Sequence, residues 1–598
     1  MTMRSSGSGS STSAAWLRAL ELTAPITRRP NRIFPVVLHE LAQRFGACTA
    51  LISEEQCLTY QNLSARANQY SHWARAQGLR DGAVLGLLMP NCAEYVAVWL
   101  GVTRVGGVVA LINTSLTGAA LAHSIDIVAA SHMIVGIHCT DEFLLVADRL
   151  RIKPRCWSHG AATGALPRID DELESCATEP LQDDEHRPPS IKDRALYIYT
   201  SGTSGLPKAV NVSHFRVMQW THWFAGLMDT HQEDRLYNCL PMYHSIGGVV
   251  AVGAPLIAGG TVVIRRRFSA QGFWQDIVKS ECTLFQYIGE LCRYLVNSPL
   301  QEAETLHRLR LCCGNGLRSD IWVRFKDRFR IPRILEYYAS TEGNVSFYNC
   351  EEKIGAIGRI PSLLRHRHSI ALIKCNEESA EPIRDAAGQF CVCDTNEVGE
   401  VIAEVRDEAS NPATQFEGYT DAGASNRKIL HDVFKPGDRW YRTGDLMRKD
   451  AAGYFYFVDR LGDTFRWKGE NVSASEVTEC LRGFEGTTNV VVYGVKVPGT
   501  EGRAGMAALE TSGAIDLQAL RAYTCAHLPA YARPLFVRIL RQIPVTSTHK
   551  TSKVELLRDG YDPTTTADPI FIDDADSRTY IQLDDALFRR VQSGDMRL

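Results

Sequence analysis

The stretch ALYIYTSGTSGLPK, residues 195–208, decides how the first half of this chain folds. Its first six residues predict a β-strand, and the strand runs into a loop of glycines and hydroxyl residues. Glycines let main-chain N–H groups converge on an anion, and the side chains of Ser201, Thr203 and Ser204 add further donors. Lys208 adds a compact positive charge. The stretch therefore predicts a loop that binds triphosphate oxygens rather than a flexible surface turn. It is not a Walker A loop, because the Gly-Lys-Ser/Thr ending is absent.

Helical and strand-like segments alternate on the N-terminal side of this stretch. Residues 63–76 and 94–105 have the pattern of helices, whereas residues 84–89 and 108–112 are short apolar runs typical of buried strands. This alternation favours a parallel sheet covered by helices. Residues 158–194 are polar and contain four prolines, so we expect a linker or surface excursion there.

A second break, near Asp459, sets off a smaller C-terminal part. Residues 453–458 predict a hairpin strand before the break. After it, residues 490–497 and 535–539 predict strands and residues 476–481 predict a helix, which is an α+β pattern. A chain of 598 residues is too long for one hydrophobic core, so at least two domains are expected.

Composition excludes several classes of protein. The formal net charge of −3 shows no basic bias toward nucleic acid or an anionic membrane. The seventeen cysteines contain no pair of CxxC motifs, which argues against a structural zinc site and favours a reduced, intracellular protein. The first fourteen residues are rich in serine and glycine and lack the apolar core of a secretory signal. We expect a disordered leader there.

The most apolar long stretch, residues 247–264, just reaches the length of a membrane span. It contains five glycines and a proline, and three arginines follow it. We therefore favour a buried helix followed by a core strand, with a membrane span as the alternative. Residues 93–112 are also apolar but carry Glu94 and Arg104, which are costly in lipid.

The loop at residues 200–208 resembles the phosphate loop of the adenylate-forming superfamily, which holds acyl-CoA synthetases, nonribosomal peptide adenylation domains and luciferases. The resemblance implies a two-step reaction. A carboxylate attacks the α-phosphate of ATP to give an acyl-adenylate and pyrophosphate, and a thiol then displaces AMP. The implied fold is α/β, with layered parallel-sheet subdomains and a distorted β-barrel in a large N-terminal domain, followed by a small mobile α+β domain. We expect a disordered leader and entry segment at 1–34, the AMP-binding domain at 35–461 and the C-terminal lid domain at 462–598.

Residues 337–344, YYASTEGN, resemble the superfamily's aromatic-x-x-Thr-Glu motif. The resemblance implies that Tyr338 lies at the nucleotide, that Thr341 contacts the α-phosphate and that Glu342 holds Mg²⁺. A single carboxylate suits Mg²⁺, because this ion takes few protein ligands beside phosphates and waters.

Two further motifs follow in the order of the superfamily. The stretch YRTGDL, residues 441–446, resembles the Thr-Gly-Asp motif, in which Asp445 would accept both ribose hydroxyls. Arg460 would also reach the ribose or a phosphate. The stretch PVTSTHK, residues 544–550, ends in the position of the lysine that bridges the carboxylate and the α-phosphate. Lys550 is therefore assigned that role, with Lys553 as the alternative.

Several stretches resemble one branch, the very-long-chain acyl-CoA synthetase and fatty acid transport protein family. These are TFRWKGENVS at 464–473, GAIGR at 355–359 and GNGLRSDIW at 314–322, the last of which resembles the adenine-site loop of the branch. The similarity runs from about residue 35 to the C-terminus. It implies a domain hinge at Gly462 or Asp463, and it implies that Gly469 lines a pantetheine tunnel.

Residues 241–248, PMYHSIGG, resemble the acyl-site segment of the family. His244 would lie beside the substrate carboxylate, although a histidine after a strand can equally be a structural hydrogen-bonding group. The glycines after it either leave room for a long acyl chain or allow close helix packing.

The expected activity is ATP-dependent ligation of a long- or very-long-chain fatty acid to coenzyme A, with Mg²⁺ as cofactor. Two alternatives stay open: fatty acid uptake by CoA trapping, and a CoA ligase for a bile-acid-like or aryl carboxylate. We expect a cytoplasmic protein, with peripheral membrane association left open. Catalytic roles are assigned to Lys550, Thr341, Glu342 and His244. Nucleotide contacts are assigned to Thr200, Ser201, Gly202, Thr203, Ser204, Gly205, Lys208, Gly314, Asn315, Gly316, Tyr338, Thr341, Asp445 and Arg460.

Overall fold

The structure, a computed structural model, divides the chain into two compact units. The first unit comprises Met1–His368 and Val405–Ile429, and the second comprises Ser369–Glu404 and Leu430–Leu598. The structure describes residues 12–160, 164–182, 187–200, 206–367, 369–376, 381–386, 388–406, 415–461, 464–467, 470–498, 500, 503–528, 530–543, 554–594 and 596. The domain boundaries expected at residues 35 and 462 stay predictions.

Two mainly parallel sheets form the first unit, as the alternation of helices and strands predicts. One sheet has the spatial order β6-β5-β3-β4-β7-β8, and all its neighbours are parallel except β7 and β8. The other has the order β15-β14-β13-β12-β11-β9-β10-β1-β2, with a parallel centre from β13 to β1. The strands are β1 Thr49–Ile52, β2 Cys57–Thr59, β3 Val84–Leu88, β4 Val108–Leu111, β5 His132–Gly136, β6 Arg155–His159, β7 Arg194–Thr200, β8 Lys208–Ser213, β9 Arg235–Asn238, β10 Thr261–Ile264, β11 Leu284–Ile288, β12 Leu311–Asn315, β13 Ile334–Ala339, β14 Ser346–Asn349 and β15 Gly358–Arg359.

Helices cover these sheets and bury several hydrophobic clusters against them. In the fourth helix every residue except Arg104 is buried, and the ring of Trp99 stacks on Phe34 at 5.9 Å. The helices are α1 Thr12–Thr23, α2 Phe34–Phe45, α3 Tyr60–Ala76, α4 Ala93–Arg104, α5 Gly118–Asp126, α6 Thr140–Ala147, α7 Ile169–Glu174, α8 His214–Met228, α9 Ala251–Ile257, α10 Phe273–Lys279, α11 Gly289–Asn297, α12 Ser319–Phe329 and α13 Ala422–Asn426.

Helix α8 starts immediately after β8 because Ser213 caps it. The Ser213 side chain accepts a hydrogen bond from the main-chain N–H of Arg216, which satisfies a donor that the first helical turn leaves unpaired. The last residue of β8 therefore fixes where α8 begins, and with it the direction of the side chains on its first turn.

The apolar stretch at residues 247–264 is a buried helix followed by a core strand, so that prediction is confirmed. It forms a π-helical turn at Ile246–Val250, then α9, then β10, and all four residues of β10 are buried. In the described part of the chain, no helix has the length and apolar character needed to cross a membrane.

The disordered leader expected over the first fourteen residues is wrong for residues 12–14. These residues begin helix α1, because Ala15, Trp16 and Ala19 are buried, and the indole of Trp16 lies 5.8 Å edge-on to Trp223 of α8. Residues 1–11 lie outside the described residues.

The second unit has the α+β character that the sequence predicts. A sheet of order β23-β24-β25-β26-β27 packs with the β21–β22 hairpin and α14 in one core. The elements are β16 Ile370–Ile373, β17 Val398–Glu404, β18 Ile429–His431 (which starts at the last residue of the first unit), β19 Arg439–Lys449, β20 Tyr454–Arg460, β21 Thr464–Trp467, β22 Glu470–Ser473, α14 Ala474–Arg482, β23 Thr487–Val495, β24 Ala504–Thr511, α15 Leu517–His527, β25 Phe536–Leu540, α16 Val554–Asp559, β26 Ile570–Asp574, β27 Thr579–Gln582 and α17 Asp585–Ser593.

The distorted β-barrel of the expected fold does not close among the described residues. Strands β16, β17, β19 and β20 pair antiparallel in that order, and β16 is an edge strand. The sheet of these four strands therefore ends at β16, which does not pair with a described strand on the opposite side to close a barrel. The mobility expected of the C-terminal domain stays a prediction.

Candidate active site

The two ends of the predicted phosphate loop lie opposite each other. Strand β7 ends at Thr200 and pairs antiparallel with β8, which starts at Lys208, so that Thr200 and Lys208 are register partners. The loop residues Ser201, Gly202, Thr203, Ser204 and Gly205 lie outside the described residues. The described strands thus hold a short connection at the carboxyl end of parallel strand β7, where α/β sheets bind ligands.

Thr341 and Glu342 lie at the tip of a β-hairpin. Strand β13 pairs antiparallel with β14, with Tyr338 opposite Phe347, and the six residues between the strands carry the Thr-Glu motif. The side-chain oxygens of Thr341 and Ser245 lie 3.2 Å apart. The guanidinium of Arg216 donates to the main-chain oxygens of Thr341 at 2.7 Å and of Gly343 at 3.1 Å. The turn is therefore held from outside as well as by its own strands.

Tyr419 links the carboxylate of Glu342 to the end of the phosphate loop. Its hydroxyl donates a hydrogen bond of 2.9 Å to Oε1 of Glu342, and its ring centroid lies 5.7 Å from Nζ of Lys208. Burial raises the pKa of Tyr419, and the carboxylate beside it raises the pKa further. The phenol therefore stays a protonated hydrogen-bond donor at neutral pH.

The predicted adenine loop, residues 314–322, begins with the last two residues of β12, and its first three residues are packed tightly. Gly316 has φ +77°, a conformation that favours glycine. A Cβ atom added to Gly314 would come closer than 3.0 Å to Tyr287, and one added to Gly289 would come closer than 3.0 Å to the carbonyl of Gly316. The buried carboxyl of Glu336 accepts a hydrogen bond from the N–H of Leu317 at 3.0 Å.

The segment predicted to form the acyl site lies beside the Thr341 turn. Asn91 anchors this segment, because its side chain accepts from the N–H of Met242 at 2.8 Å and donates to the carbonyl of Leu240 at 2.8 Å. The ring of His244 packs against Tyr243 at 4.6 Å. The contact with Thr341 is made by Ser245, the residue after His244.

The glycines of this segment serve close packing in the described structure. A Cβ atom on Gly247 would come closer than 3.0 Å to the carbonyl of Pro241, and one on Gly248 would come closer than 3.0 Å to the carbonyl of Met242. Both glycines therefore let the π-helical turn lie against main chain. The two interpretations open from sequence, room for a long acyl chain and helix packing, stay predictions.

Asp445 and Arg460 are register partners within the second unit, on β19 and β20. The main-chain N–H of Asp445 donates to the Thr443 hydroxyl at 3.0 Å. Gly444, with φ +77°, donates its N–H to a carboxyl oxygen of Glu400 at 2.8 Å. The Thr-Gly-Asp segment is thus held by one internal hydrogen bond and one to Glu400, and the backbone pairs the two predicted ribose contacts, Asp445 and Arg460.

Other predicted site residues lie outside the described residues. These are the hinge residues Gly462 and Asp463, the tunnel residue Gly469, and the two candidate lysines Lys550 and Lys553. Their roles stay predictions.

Comparison with known proteins identifies the family. The sequence profile of the family described as AMP-binding enzyme matches residues 38–395, which is more than half of the chain. The chain belongs to the AMP-binding enzyme family.

Relatives of this AMP-binding enzyme extend along nearly all of it. The chain is 38% identical over 579 residues to long-chain fatty acid transport protein 1 of Mus musculus, covering 96% of the chain and 89% of that protein. It is 36% identical over 540 residues to the medium/long-chain fatty acid–CoA ligase FadD6 of Mycobacterium tuberculosis, covering 89% of the chain and 87% of that protein. The predicted adenylate-forming acyl-CoA ligase is thereby confirmed, as is the predicted branch of the superfamily.

The fold of this AMP-binding enzyme also matches solved structures. The crystal structure of the anthranilate CoA ligase AuaEII in complex with anthranoyl-AMP has a TM-score of 0.74 at 20% sequence identity, covering 88% of this chain and 96% of that one. The predicted α/β fold class is confirmed.

The described residues fit a nucleotide-bound Mg²⁺ rather than an all-protein metal cage. No group of three or more His, Cys, Asp or Glu side chains that could hold a metal occurs in the part of the chain that the structure describes. Glu342 offers a single carboxylate at the tip of the hairpin. One carboxylate is the number of protein ligands that Mg²⁺ commonly takes when phosphates and waters complete its shell.

Four residues at this site were not predicted from sequence: Arg216, Ser245, Glu336 and Tyr419. Two of them carried a signal, because Arg216 lies in an apolar helix and Glu336 lies within the apolar strand ILEYYA. A charged residue in such a setting requires a partner. Nothing in the sequence near Tyr419 indicates that it meets Glu342.

Proposed function

We propose that this AMP-binding enzyme joins a long- or very-long-chain fatty acid to coenzyme A, using ATP and forming an acyl-adenylate. The observation that carries the substrate class is the 38% identity to a long-chain fatty acid transport protein over 96% of the chain. The 36% identity to a fatty acid–CoA ligase supports the same acid and the same acceptor.

In the first step, an oxygen of the fatty carboxylate attacks the α-phosphorus of ATP and pyrophosphate leaves. Lys208 and the loop that it ends would bind the outer phosphates, and Thr341 would contact the α-phosphate. Gly314–Gly316 and Tyr338 would hold the adenine. Asp445 would accept hydrogen bonds from the ribose hydroxyls, with Arg460 beside it. Two anions approach in this step, so the cation of Lys550 would lower the barrier by meeting the developing charge.

Glu342 would hold the Mg²⁺ that accompanies ATP. When bound, the ion supplies positive charge to the phosphate oxygens, which favours attack by an anion. The fit rests on the donor set, a single carboxylate whose other contact is a phenol hydroxyl.

In the second step, the thiol sulfur of coenzyme A attacks the acyl carbonyl carbon and AMP leaves. We propose that the C-terminal domain turns about Gly462 or Asp463 between the two steps, which would remove Lys550 and admit the thiol. A glycine or a turn residue can absorb the change in φ and ψ that such a hinge needs. Gly469 would line the path of the pantetheine arm.

The test is a panel of acids offered to the purified protein with ATP, Mg²⁺ and coenzyme A. The panel runs from dodecanoate to tetracosanoate and includes a bile acid and an aryl carboxylate. We expect AMP and the matching acyl-CoA, measured by chromatography and mass spectrometry, from the long-chain acids. AMP release from none of the acids would refute the ligase. AMP release only with the bile acid or the aryl acid would refute the fatty acid as substrate but would agree with the proposed adenylation and CoA ligation.

A second candidate, fatty acid uptake, is favoured by the name of the mouse relative, a long-chain fatty acid transport protein. We propose that the reaction takes place in the cytoplasm, free or at a membrane surface, so that CoA trapping drives any uptake. Cells that express Lys550→Ala should then take up labelled fatty acid no faster than cells without the protein. Uptake that persists in this variant would indicate transport independent of ligation.

A further inference from the structure

The buried Arg216 donates hydrogen bonds to the main chain on both sides of Glu342. It lies on the first turn of α8 and is 7% exposed. One terminal nitrogen donates to the carbonyls of Thr341 and Gly343, at 2.7 and 3.1 Å, and these are the residues before and after Glu342. The planar guanidinium presents its donors in a fixed fork, so two contacts from one nitrogen define the path of the chain between them.

The same guanidinium reaches a second segment of chain, residues 415–420. Its other terminal nitrogen donates to the carbonyl of Gln415 at 3.1 Å, and its Nε lies 3.4 Å from Oε1 of Glu417. Glu417 also accepts from the N–H of Ser213 at 2.7 Å and from the Ser213 hydroxyl at 2.6 Å. The side chains of this charge pair are 8% and 13% exposed. Such a largely buried pair holds its geometry, because breaking it would leave a charge without its partner in a poorly solvated place.

The segment that carries Glu417 pairs antiparallel with β8 through one β-bridge, between Tyr419 and Val210, which brings Tyr419 to the site. Asn211 donates its N–H to the carbonyl of Gly418 at 3.0 Å, and Thr420 donates its N–H to the carbonyl of Ala209 at 2.9 Å. Side chains two residues apart on a strand share a face, which puts Tyr419 on the side of Glu417. Its hydroxyl donates to Glu342 at 2.9 Å, beside Lys208 of the same β8.

We propose that Arg216, Glu417 and Tyr419 form a brace that fixes the Glu342 carboxylate relative to Lys208 before nucleotide binds. Arg216 and Glu417 set the main chain of the turn, and Tyr419 sets the carboxylate itself. The brace makes the contribution of Mg²⁺ to nucleotide affinity depend on residues that touch neither the metal nor ATP. This inference rests on the proposed function, because it takes Glu342 as the carboxylate that holds the ion.

The brace predicts a specific loss in Tyr419→Phe. This variant removes one hydroxyl and keeps the ring that packs against Phe416 and lies over Lys208. The measurement is calorimetric titration of the full-length protein with a non-hydrolysable ATP analogue, with Mg²⁺ and with chelator. Wild type should bind the analogue more tightly with Mg²⁺. In Tyr419→Phe that enhancement should shrink about tenfold, the size expected for a hydrogen bond to a charged group, while affinity in chelator stays the same.

Two further variants separate positioning from general damage. Tyr456→Phe also removes a phenol hydroxyl that donates to a carboxylate, Asp450 at 3.0 Å, in the second unit, and it should bind as wild type does. Arg216→Lys keeps the charge but loses the fork, so it should show the same reduced enhancement and a lower melting temperature. Because Arg216→Lys can lower folding yield, Tyr419→Phe decides the question.

The outcomes distinguish the brace from the proposed function. If wild type gains affinity from Mg²⁺ and Tyr419→Phe gains as much, the brace is wrong and the ligase stands. If Tyr419→Phe loses affinity equally with Mg²⁺ and with chelator, the hydroxyl supports the fold and does not position Glu342, which also overturns the brace. If wild type binds no adenine nucleotide, the proposed function fails and the brace fails with it.

Discussion

The hydroxyl of Tyr287 lies 2.5 Å from Oε2 of Glu336, a carboxyl that is 2% exposed. Oε1 of the same carboxyl accepts from the N–H of Leu317 at 3.0 Å. These three residues come from β11, from β13 and from the main chain just after β12. One buried carboxyl thus ties together the carboxyl ends of three parallel strands around the predicted adenine loop. Burial raises the pKa of Glu336 to about 8, although the hydrogen bonds act to lower it.

Glu336→Gln should flatten the pH dependence of stability between pH 4.5 and about 8. Between pH 4.5 and about 8 the unfolded carboxyl is ionised while the folded one stays protonated. The unfolded state binds fewer protons there, so stability falls as pH rises, by on the order of 1 kcal/mol per pH unit. The amide cannot ionise and should remove this slope.

Urea midpoints measured across this pH window test the expectation. The exposed Glu302 provides the control, since Glu302→Gln should leave the slope of wild type unchanged. Equal slopes in Glu336→Gln and wild type would mean that Glu336 is ionised in the folded protein.

Gly289→Ala should weaken ATP binding through the adenine loop. The added Cβ would come closer than 3.0 Å to the carbonyl of Gly316, which is main chain and cannot rotate away. Overpacking of this kind costs about 1–3 kcal/mol. We expect a higher KM for ATP and a lower melting temperature. Gly164→Ala meets nothing within 4 Å and should change neither quantity. A lower melting temperature with an unchanged KM for ATP would show that α11 shifts to relieve the contact and that the adenine loop keeps its position.

Glu172→Gln should destabilise the first unit. Its two carboxyl oxygens accept from the indole N–H groups of Trp73 at 2.7 Å and Trp157 at 2.5 Å. An amide offers one acceptor and turns two donors toward the second indole, so one hydrogen bond is lost, at about 1–3 kcal/mol. Tryptophan fluorescence during urea unfolding reports on both rings directly. Glu174→Gln, on the exposed side of the same short helix, should unfold as wild type does.

Lys550→Ala should separate the two half-reactions. Because the lysine is assigned to the meeting of carboxylate and α-phosphate, its loss should abolish release of pyrophosphate from ATP and fatty acid. Formation of acyl-CoA from supplied acyl-adenylate should continue. Lys553→Ala should retain both half-reactions. If Lys553→Ala loses adenylation and Lys550→Ala retains it, the role belongs to Lys553. If Lys550→Ala loses both half-reactions, the role of Lys550 is not confined to adenylation.

Sequence predicts the layered part of the fold because local pattern and burial coincide there. The strand expected at residues 195–200 spans Arg194–Thr200, and the helix expected at 94–105 spans Ala93–Arg104. The helix expected at 63–76 ends where predicted but begins three residues earlier, at Tyr60. The start of α1 was missed because its burial depends on Trp223, a partner more than two hundred residues away. Local composition at residues 12–14 carries no trace of that contact.

Sequence also predicts those site residues that belong to a contiguous motif. Thr341 and Glu342 stand at the tip of their hairpin, and Thr200 faces Lys208 across the loop. Tyr419 and Arg216 act on that motif from 77 and 125 residues away. Their contacts follow from how the strands are ordered in space, which no local spacing encodes.

The capped junction between β8 and α8 fixes the distance and the rotation between Lys208 and Arg216. Lys208 marks its start at the phosphate loop, Ser213 its cap and Arg216 its end at the Thr-Glu turn. One residue inserted after Ser213 would carry Arg216 about 100° around the helix and about 1.5 Å along it. The guanidinium would then miss both carbonyls. Substitutions within the interval from Lys208 to Arg216 can be tolerated singly, whereas an insertion between Ser213 and Arg216 should silence the enzyme while leaving both sheets intact.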